Sequence, residues 1–364
     1  MRLMKILHVE TGRHLYGGPQ QAVYLVSALR QRGLDCTLLC PPDTGVDSAA
    51  RAAGIPVRNL FCAGDLDLPF AYRLTQYLQA TTPDLLHCHS RRGADMLGGL
   101  AASFAAVPAV VSRRVDNTEM RALAALRYRP FRKIIAISEA IAAVLRERAV
   151  APERIAVIRS AVDTARFEAP PNRHAFRSEF GIPRDALILG AAGQLIPRKG
   201  HRYLLEAVAD LRHTHGNIRL VIFGEGYLNN QLRAQAAALS LGDVVQFAGF
   251  RDDLDDFMGC FDIFVHPALS EGLGVVTLKA AAAGVPVVGF NAGGLPEAVL
   301  DGVSGILVST ADAVALKVAI ATLLQNKSLR RKMGEAGRER MQNEFSIATM
   351  ADKHIALYEA VLHG

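Results

Sequence analysis

Two short stretches of this chain set charged side chains beside glycines where a strand gives way to a helix. In Gly193-Gln194-Leu195-Ile196-Pro197-Arg198-Lys199-Gly200, directly after the apolar run LILGAAG, two cations stand ahead of a helical stretch. Cations oppose the positive end of a helix dipole, so a bound diphosphate accounts for Arg198 and Lys199 better than solvated charge does. In His266-Pro267-Ala268-Leu269-Ser270-Glu271-Gly272-Leu273-Gly274-Val275-Val276-Thr277, a strand ends at His266 and a carboxylate followed by glycines leads into a helix. Glycine lets backbone amides approach a ligand, a helix start favours a negatively charged leaving group, and Glu271 can accept hydrogen bonds from hydroxyls. Taken alone, that turn is a generic one. Gly17-Gly18, between the first apolar run and the stretch QQAVYLVSAL, either offers amides to an anion or is a plain loop pair, since the GxGxxG spacing is not met. His89, closing the run DLLHCH, reads equally as a substrate-positioning imidazole or a structural one.

The elements that must position these residues follow from an alternation of short Leu- or β-branched-rich runs with Ala/Leu-rich helical stretches. In the first half the strands read MKILHV, CTLLC, PVRNL, DLLHCH, AVVSR and KIIAIS. A second series reads LILGAAG, IRLVIFG, VVQFAG, IFVHP, VPVVGF and GILV. Such a rhythm predicts α/β domains with parallel sheets wound on both faces, which bind ligands at the carboxyl ends of the strands. The segment RFEAPPNRHAFRSEFG, with paired prolines and no apolar run, reads as the linker between the two series. The last 19 residues predict a helix with Ile347, Met350, Leu357 and Val361 on one face.

Composition narrows the function classes. The chain has 364 residues, half of them hydrophobic, which is more than one ordinary α/β core needs. Five cysteines without a CxxC pair suggest neither a disulfide framework nor a zinc site. No run of about 18 uncharged apolar residues is present, so a soluble protein of the reducing cytoplasm is expected. The net charge of +6 is concentrated early: residues 1–165 carry 21 Lys+Arg against 14 Asp+Glu, and the remainder 20 against 21. Arginines cluster at Arg91, Arg92, Arg113 and Arg114 and again at Arg121, Arg127, Arg129 and Arg132. They suit anionic lipid headgroups or a phosphorylated acceptor, or form a solvated basic surface. Nucleic acid fits least, because no aromatics are interleaved.

Taken together and in order, GGPQQAVYLVSALRQRG, DLLHCHS, IAISEAIAAVLRERAVAPERIAVIRSAVDTARF, GQLIPRKG, VIFGEGYLNNQL and the block from FAGFRDD to GVSGILV resemble the signatures of family 4 glycosyltransferases. The resemblance implies a GT-B fold: two Rossmann-like domains facing a cleft. An acceptor-binding domain would span 1–165 and a donor-binding domain 166–345, with the helix 346–364 crossing back to the first. It further implies metal-independent transfer, with retention of anomeric configuration, from a nucleotide diphosphate sugar. UDP-sugar is preferred, and no cofactor or bound metal is called for. The acceptor would be a glycan or lipid-linked saccharide of envelope or lipopolysaccharide synthesis, reached by peripheral contact with the inner face of an anionic membrane. Carried over position by position, Lys199 and Arg198 hold the diphosphate, Glu271 the donor sugar's hydroxyls, and the amides of Gly272, Leu273, Gly274 and Val275 the sugar and phosphate. The backbone near Phe250 and Arg251 meets the base, Gly17 and Gly18 close on the phosphate, and His89 helps to position the reacting groups.

The chain departs from the family pattern twice. Gln194 stands where the family has arginine, a charge Arg198 can replace. Lys279 stands where a second glutamate usually meets the ribose. A lysine cannot accept hydrogen bonds, so it is expected to pair with Glu271 or to reach a phosphate. A nucleotide-sugar epimerase and a non-catalytic scaffold of the same fold are the rival readings. A dehydrogenase is disfavoured, because neither half has GxGxxG with an acidic residue about 20 positions on.

Overall fold

The computed structural model describes residues 4–89, 93–116 and 119–364. They form two compact units. One runs to Ala161 and takes back Ile347–Gly364, and the other is Val162–Ser346.

The first unit alternates β1 (Lys5–Val9), α1 (Gly17–Gln31), β2 (Asp35–Cys40), α2 (Gly45–Ala52), β3 (Val57–Asn59), α3 (Leu68–Thr81), β4 (Leu85–Cys88), α4 (Ala94–Ala105), β5 (Ala109–Arg113), α5 (Arg121–Tyr128), β6 (Lys133–Ala136), α6 (Glu139–Glu147) and β7 (Ile155–Val157). The strands make one parallel sheet ordered β3-β2-β1-β4-β5-β6-β7. Strand order therefore reverses between β1 and β4, and a crevice opens at the carboxyl ends of strands on either side of such a reversal. The edge strand β7 was not anticipated, because three half-buried residues carry too little alternation to register as a strand.

The second unit contains α7 (Arg173–Glu179), β8 (Leu187–Ala192), α8 (His201–Thr214), β9 (Ile218–Phe223), α9 (Asn229–Ala238), β10 (Val245–Gly249), α10 (Leu254–Phe257), β11 (Ile263–His266), α11 (Val275–Ala282), β12 (Val287–Phe290), α12 (Leu295–Ala298), β13 (Gly305–Val308), α13 (Ala313–Gln325) and α14 (Lys327–Glu344). Its parallel sheet is ordered β10-β9-β8-β11-β12-β13, with the reversal between β8 and β11. The six strands anticipated here are the six that form. The stretch read as a linker is instead folded. Asn172 caps α7 by accepting from Ala175 N at 3.0 Å, and Phe176 is fully buried among Phe180, Phe257 and Phe261. Two aromatics four residues apart anchor a helix too short to show an apolar period.

The final helix, α15 (Ile347–His363), packs on α1 within the first unit. Its buried face is Met350, Ala351, His354, Tyr358 and Val361, so two polar residues stand where the apolar pattern pointed to Ile347 and Leu357, which are only partly buried. All five cysteines are buried thiols. Burial pushes Cys36 and Cys40 up to about 12, which keeps these thiols protonated and unreactive.

Candidate functional site

At the strand reversal of the second unit, the loop leaving β8 and the loop leaving β11 lie side by side, because their strands are neighbours in the sheet. Leu269 N donates to Arg198 O at 2.8 Å, stitching the two loops together. Two glycines make this approach possible. Gly200 has φ +66°, and a Cβ there would lie 1.9 Å from the Pro267 carbonyl oxygen; Gly293 has φ +55°, and a Cβ would lie 2.1 Å from the Glu271 carbonyl oxygen. Gly294 N donates to that same carbonyl at 2.8 Å, so the loop after β12 braces Glu271 from behind.

The result is that Lys199 and Glu271, 72 residues apart, form an ion pair with side chains only 12% and 13% exposed. His266 Nε2 lies 2.9 Å from the same carboxylate. Burial alone would raise the Glu271 carboxyl; the His266 hydrogen bond and the Lys199 ammonium outweigh it and hold the group well below the usual carboxylate range. Burial lowers His266 as well, so a neutral ring donates its Nε2–H to a charged carboxylate. Gly272, Leu273 and Gly274 lead from Glu271 into α11, whose first amides, at Val275 and Val276, begin the helix without intrahelical acceptors. Arg198 is exposed, with Nη1 3.5 Å from the Ser270 carbonyl. A cation, a carboxylate and a helix N-terminus thus converge at one point, which suits an anionic group bonded to a hydroxyl-rich one. His266 was overlooked as a partner; its place five residues before Glu271, at the strand end, was the available signal.

Lys279 does not pair with Glu271. Its ammonium meets both oxygens of Asp255, at 2.9 and 3.0 Å, and Arg166 lies 3.7 Å from the same carboxylate. Asp255 sits on α10, after β10, a position that no motif marked. Arg251 is held by Asp253 at 2.6 and 2.7 Å and by Glu179 at 2.5 Å, so its guanidinium is engaged, while Phe250 is half exposed. Beside them, at the carboxyl ends of β9 and β10, lies a cavity of about 500 Å³ lined by Gly224–Gly226, Asn229, Arg233 and Phe247–Gly249.

The reversal of the first unit is built differently. Gly17 and Gly18 are the first residues of α1, and Arg114 lies against Gly18. His89 is buried, not open at a surface. Its Nδ1 is 3.3 Å from Arg114 Nη2 and its Nε2 is 2.9 Å from His8 Nδ1. An arginine only donates, so His89 carries its proton on Nε2 and passes a hydrogen bond to His8, which then carries its own on Nε2. His87 meets Tyr358 Oη at 2.6 Å and Ser112 Oγ at 2.9 Å, and its ring lies 3.9 Å from that of His89. Burial lowers all these imidazoles, His8 to about 3 and His354 to about 4, so the group is neutral. Nitrogens of His8, His87 and His89 lie within 4.8 Å of one another, close enough to hold a metal ion. Two of the lone pairs are spent on hydrogen bonds and a guanidinium stands next door, so the residues do not fit a resident cation.

The expected basic surface is only partly present, because the arginine clusters divide between the interior and the surface. Arg113 pairs with Glu119, Arg127 with Asp95 at 2.7 Å and with Glu119, and Arg132 donates to the Val361 carbonyl at 2.6 Å. Arg121, Arg129 and Arg132 are exposed, and Arg91 and Arg92 lie outside the described residues. Among the described residues no helix is long and apolar enough to cross a membrane.

Two parallel doubly wound sheets, the second carrying a paired cation and carboxylate at its crevice, place the chain among two-domain α/β proteins with a charged ligand crevice. Residues 172–340 match the family described as glycosyl transferases group 1, and residues 16–166 match Glycosyltransferase Family 4. The chain belongs to these family 4 glycosyltransferases and has their GT-B fold. It is 28% identical over 359 residues, 97% of this chain and 98% of the relative, to the lipopolysaccharide core biosynthesis glycosyltransferase LpsE of Rhizobium meliloti. It is 33% identical over 223 residues, 58% of this chain but only 50% of the relative, to the D-inositol 3-phosphate glycosyltransferase of Streptomyces scabiei. Among solved structures, Anabaena Alr3699/HepE in complex with UDP superposes with a TM-score of 0.87 at 21% identity, covering 98% of this chain and 100% of that one.

Proposed function

We propose that this glycosyltransferase takes its sugar from a nucleotide diphosphate sugar, in the first place a UDP-sugar, and transfers it without a metal and with retention of configuration. Its acceptor is a glycan or lipid-linked saccharide of lipopolysaccharide or related envelope synthesis, met on the cytoplasmic side of the membrane. The observation that carries this reading is the meeting of Lys199, Glu271 and the start of α11 at one crevice. In chemical terms a diphosphate leaving group must be stabilised while positive charge grows on the sugar. Lys199, with Arg198, and the amides of Gly272 to Val275 stabilise the leaving group electrostatically, which is the task a divalent cation performs elsewhere. Glu271, kept ionised by its two neighbours, accepts from the sugar's hydroxyls. The base takes the cavity beside Phe250 and Arg251, and Lys279, fixed by Asp255, stands on the nucleotide side. Gly17 and Gly18 supply a second helix start for a phosphate, and His89 positions the reacting groups through Arg114. The acceptor class is supported by the lipopolysaccharide core assignment of the LpsE relative, and the base by the UDP and UDP-glucose complexes of the Anabaena protein.

Calorimetric titration with UDP, GDP and ADP, on wild type and Lys199→Met, tests the donor site. One diphosphate should bind, and the variant should bind it at least tenfold more weakly. NMR of the product should show the donor's anomeric configuration, and EDTA should leave the rate unchanged. An inverted product, or loss of turnover in EDTA that Mg²⁺ restores, would remove the corresponding part of the proposal.

A further inference from the structure

Helix α11 begins beside one ion pair, Lys199–Glu271, and carries a member of another, Lys279–Asp255. The helix is buried along Thr277, Leu278 and Ala280–Ala282, so its partly open face is Val275, Val276 and Lys279. Residues three and four apart share a helix face, and helical side chains lean toward the helix start. Lys279 therefore lies over the turn whose amides lack intrahelical acceptors. Along the axis it is about 6 Å from Val275, which leaves room for one sugar ring between the helix start and the second pair.

Hydrogen-bond capacity decides what the second pair can meet. The Lys279 and Asp255 side chains are 17% and 9% exposed, much as Lys199 and Glu271 are at 12% and 13%. Lys279 gives one hydrogen to each oxygen of Asp255, at 2.9 and 3.0 Å. A carboxylate oxygen can accept twice and an ammonium can donate three times, so the pair keeps acceptors and one donor side by side. Arg166 lies 3.7 Å from the Asp255 carboxylate and 3.0 Å from that of Asp256. Two cations and two carboxylates cancel, so the cluster favours an ion of neither sign. Neutral vicinal hydroxyls fit it: one donates to Asp255 while its neighbour accepts from Lys279.

We propose that Asp255, held in place by Lys279, recognises the ribose of the donor nucleotide through its vicinal hydroxyls. The inference rests on the nucleotide-sugar reading and assigns within it a contact that α11, which carries no carboxylate, does not supply. It sets the ribose between the diphosphate at the start of α11 and the base in the cavity at the ends of β9 and β10. Asp255 is on the chain that leaves β10, just after Gly249, which lines that cavity. Lys279 acts in two ways, fixing the carboxylate and donating its remaining hydrogen, so the site selects ribonucleotides over nucleotides without the hydroxyls.

The test is calorimetric titration of the full chain with whichever of UDP, GDP and ADP binds most tightly, with its 2′,3′-dideoxy analogue, and with inorganic pyrophosphate. Wild type is compared with Lys279→Met/Asp255→Leu, which removes both charges together and strands no buried ion, and with the exchanged pair Lys279→Glu/Asp255→Lys. Wild type should bind the ribonucleotide at least about tenfold more tightly than the dideoxy analogue. The apolar pair should lose that preference by weakening the ribonucleotide alone, and the exchanged pair should recover it, since it again offers acceptors beside a donor. Pyrophosphate should bind all three proteins alike. Wild type that binds both nucleotides equally, or an apolar pair that keeps the full preference, overturns the proposal and leaves the donor site standing. Loss of pyrophosphate binding in both variants also overturns it, because the pair is then a structural brace. Wild type that binds neither nucleotide nor pyrophosphate removes the donor reading itself, and this inference with it.

Discussion

The two strand reversals have the same topology and opposite chemistry. At β1/β4 the strand ends are filled with His8, His87 and His89, neutral rings of which His8 and His89 hydrogen-bond each other and His87 bonds Tyr358 and Ser112. At β8/β11 the strand ends present full charges, Lys199 against Glu271, steadied by one neutral histidine. The same position in the same architecture therefore serves in one unit as a hydrogen-bonded brace and in the other as an electrostatic site. A doubly wound sheet supplies the crevice, and the side chains at its mouth supply the chemistry.

That contrast should break first under acid. An unfolded histidine takes up its proton near pH 6.5, whereas His8 does so only near 3 and His354 near 4 in the fold. Between those values the unfolded chain binds more protons, so their stabilising contribution is complete above about pH 6.5 and drains as pH falls toward 4. The loss reaches up to about 1.4 kcal/mol per pH unit for each histidine. Thermal unfolding at pH 7.5 and 5.0 should show a marked drop, smaller in His8→Leu/His354→Leu; equal drops in both proteins would refute the neutral cluster.

Next in size is Glu271→Gln. It keeps the shape but leaves the Lys199 ammonium without its countercharge, and kcat/KM should fall about 100- to 1,000-fold. A fall under tenfold would mean that Glu271 does not touch the reacting sugar.

Lys279→Glu sharpens the comparison within the second unit. It sets a carboxylate against the buried Asp255, and stability should drop by about 3 kcal/mol, with recovery on adding Asp255→Lys. Chemical denaturation of the single and double variants measures the coupling, and simple additivity would deny that the pair matters. The smallest effect belongs to Tyr358→Phe, which removes one buried hydrogen bond to His87 at about 1–2 kcal/mol. Urea unfolding should register it without a change in donor affinity.

The strands with continuous apolar runs were legible because a buried parallel strand needs them, and both glycine-rich loops were legible because few other residues fit such turns. β7 and α7 were not, since each is too short for a period to emerge and is held by contacts distant in sequence. The arginine clusters were legible only in part for a related reason: sequence counts charges but cannot pair them, and Arg113 and Arg127 find Glu119 and Asp95 only when the helices pack, while Arg121, Arg129 and Arg132 stay exposed.

By itself, then, the sequence determined the alternation of strands and helices, the two-unit plan and the charged, glycine-rich loops that follow β8 and β11, because periodicity, turn chemistry and side-chain type are local properties. Only tertiary structure decided that Glu271 joins Lys199 and that Lys279 joins Asp255. It also decided that His89 is buried in a chain of imidazoles reaching α15. Those pairings depend on which strands become neighbours, and strand order is set by how the whole sheet buries its two faces.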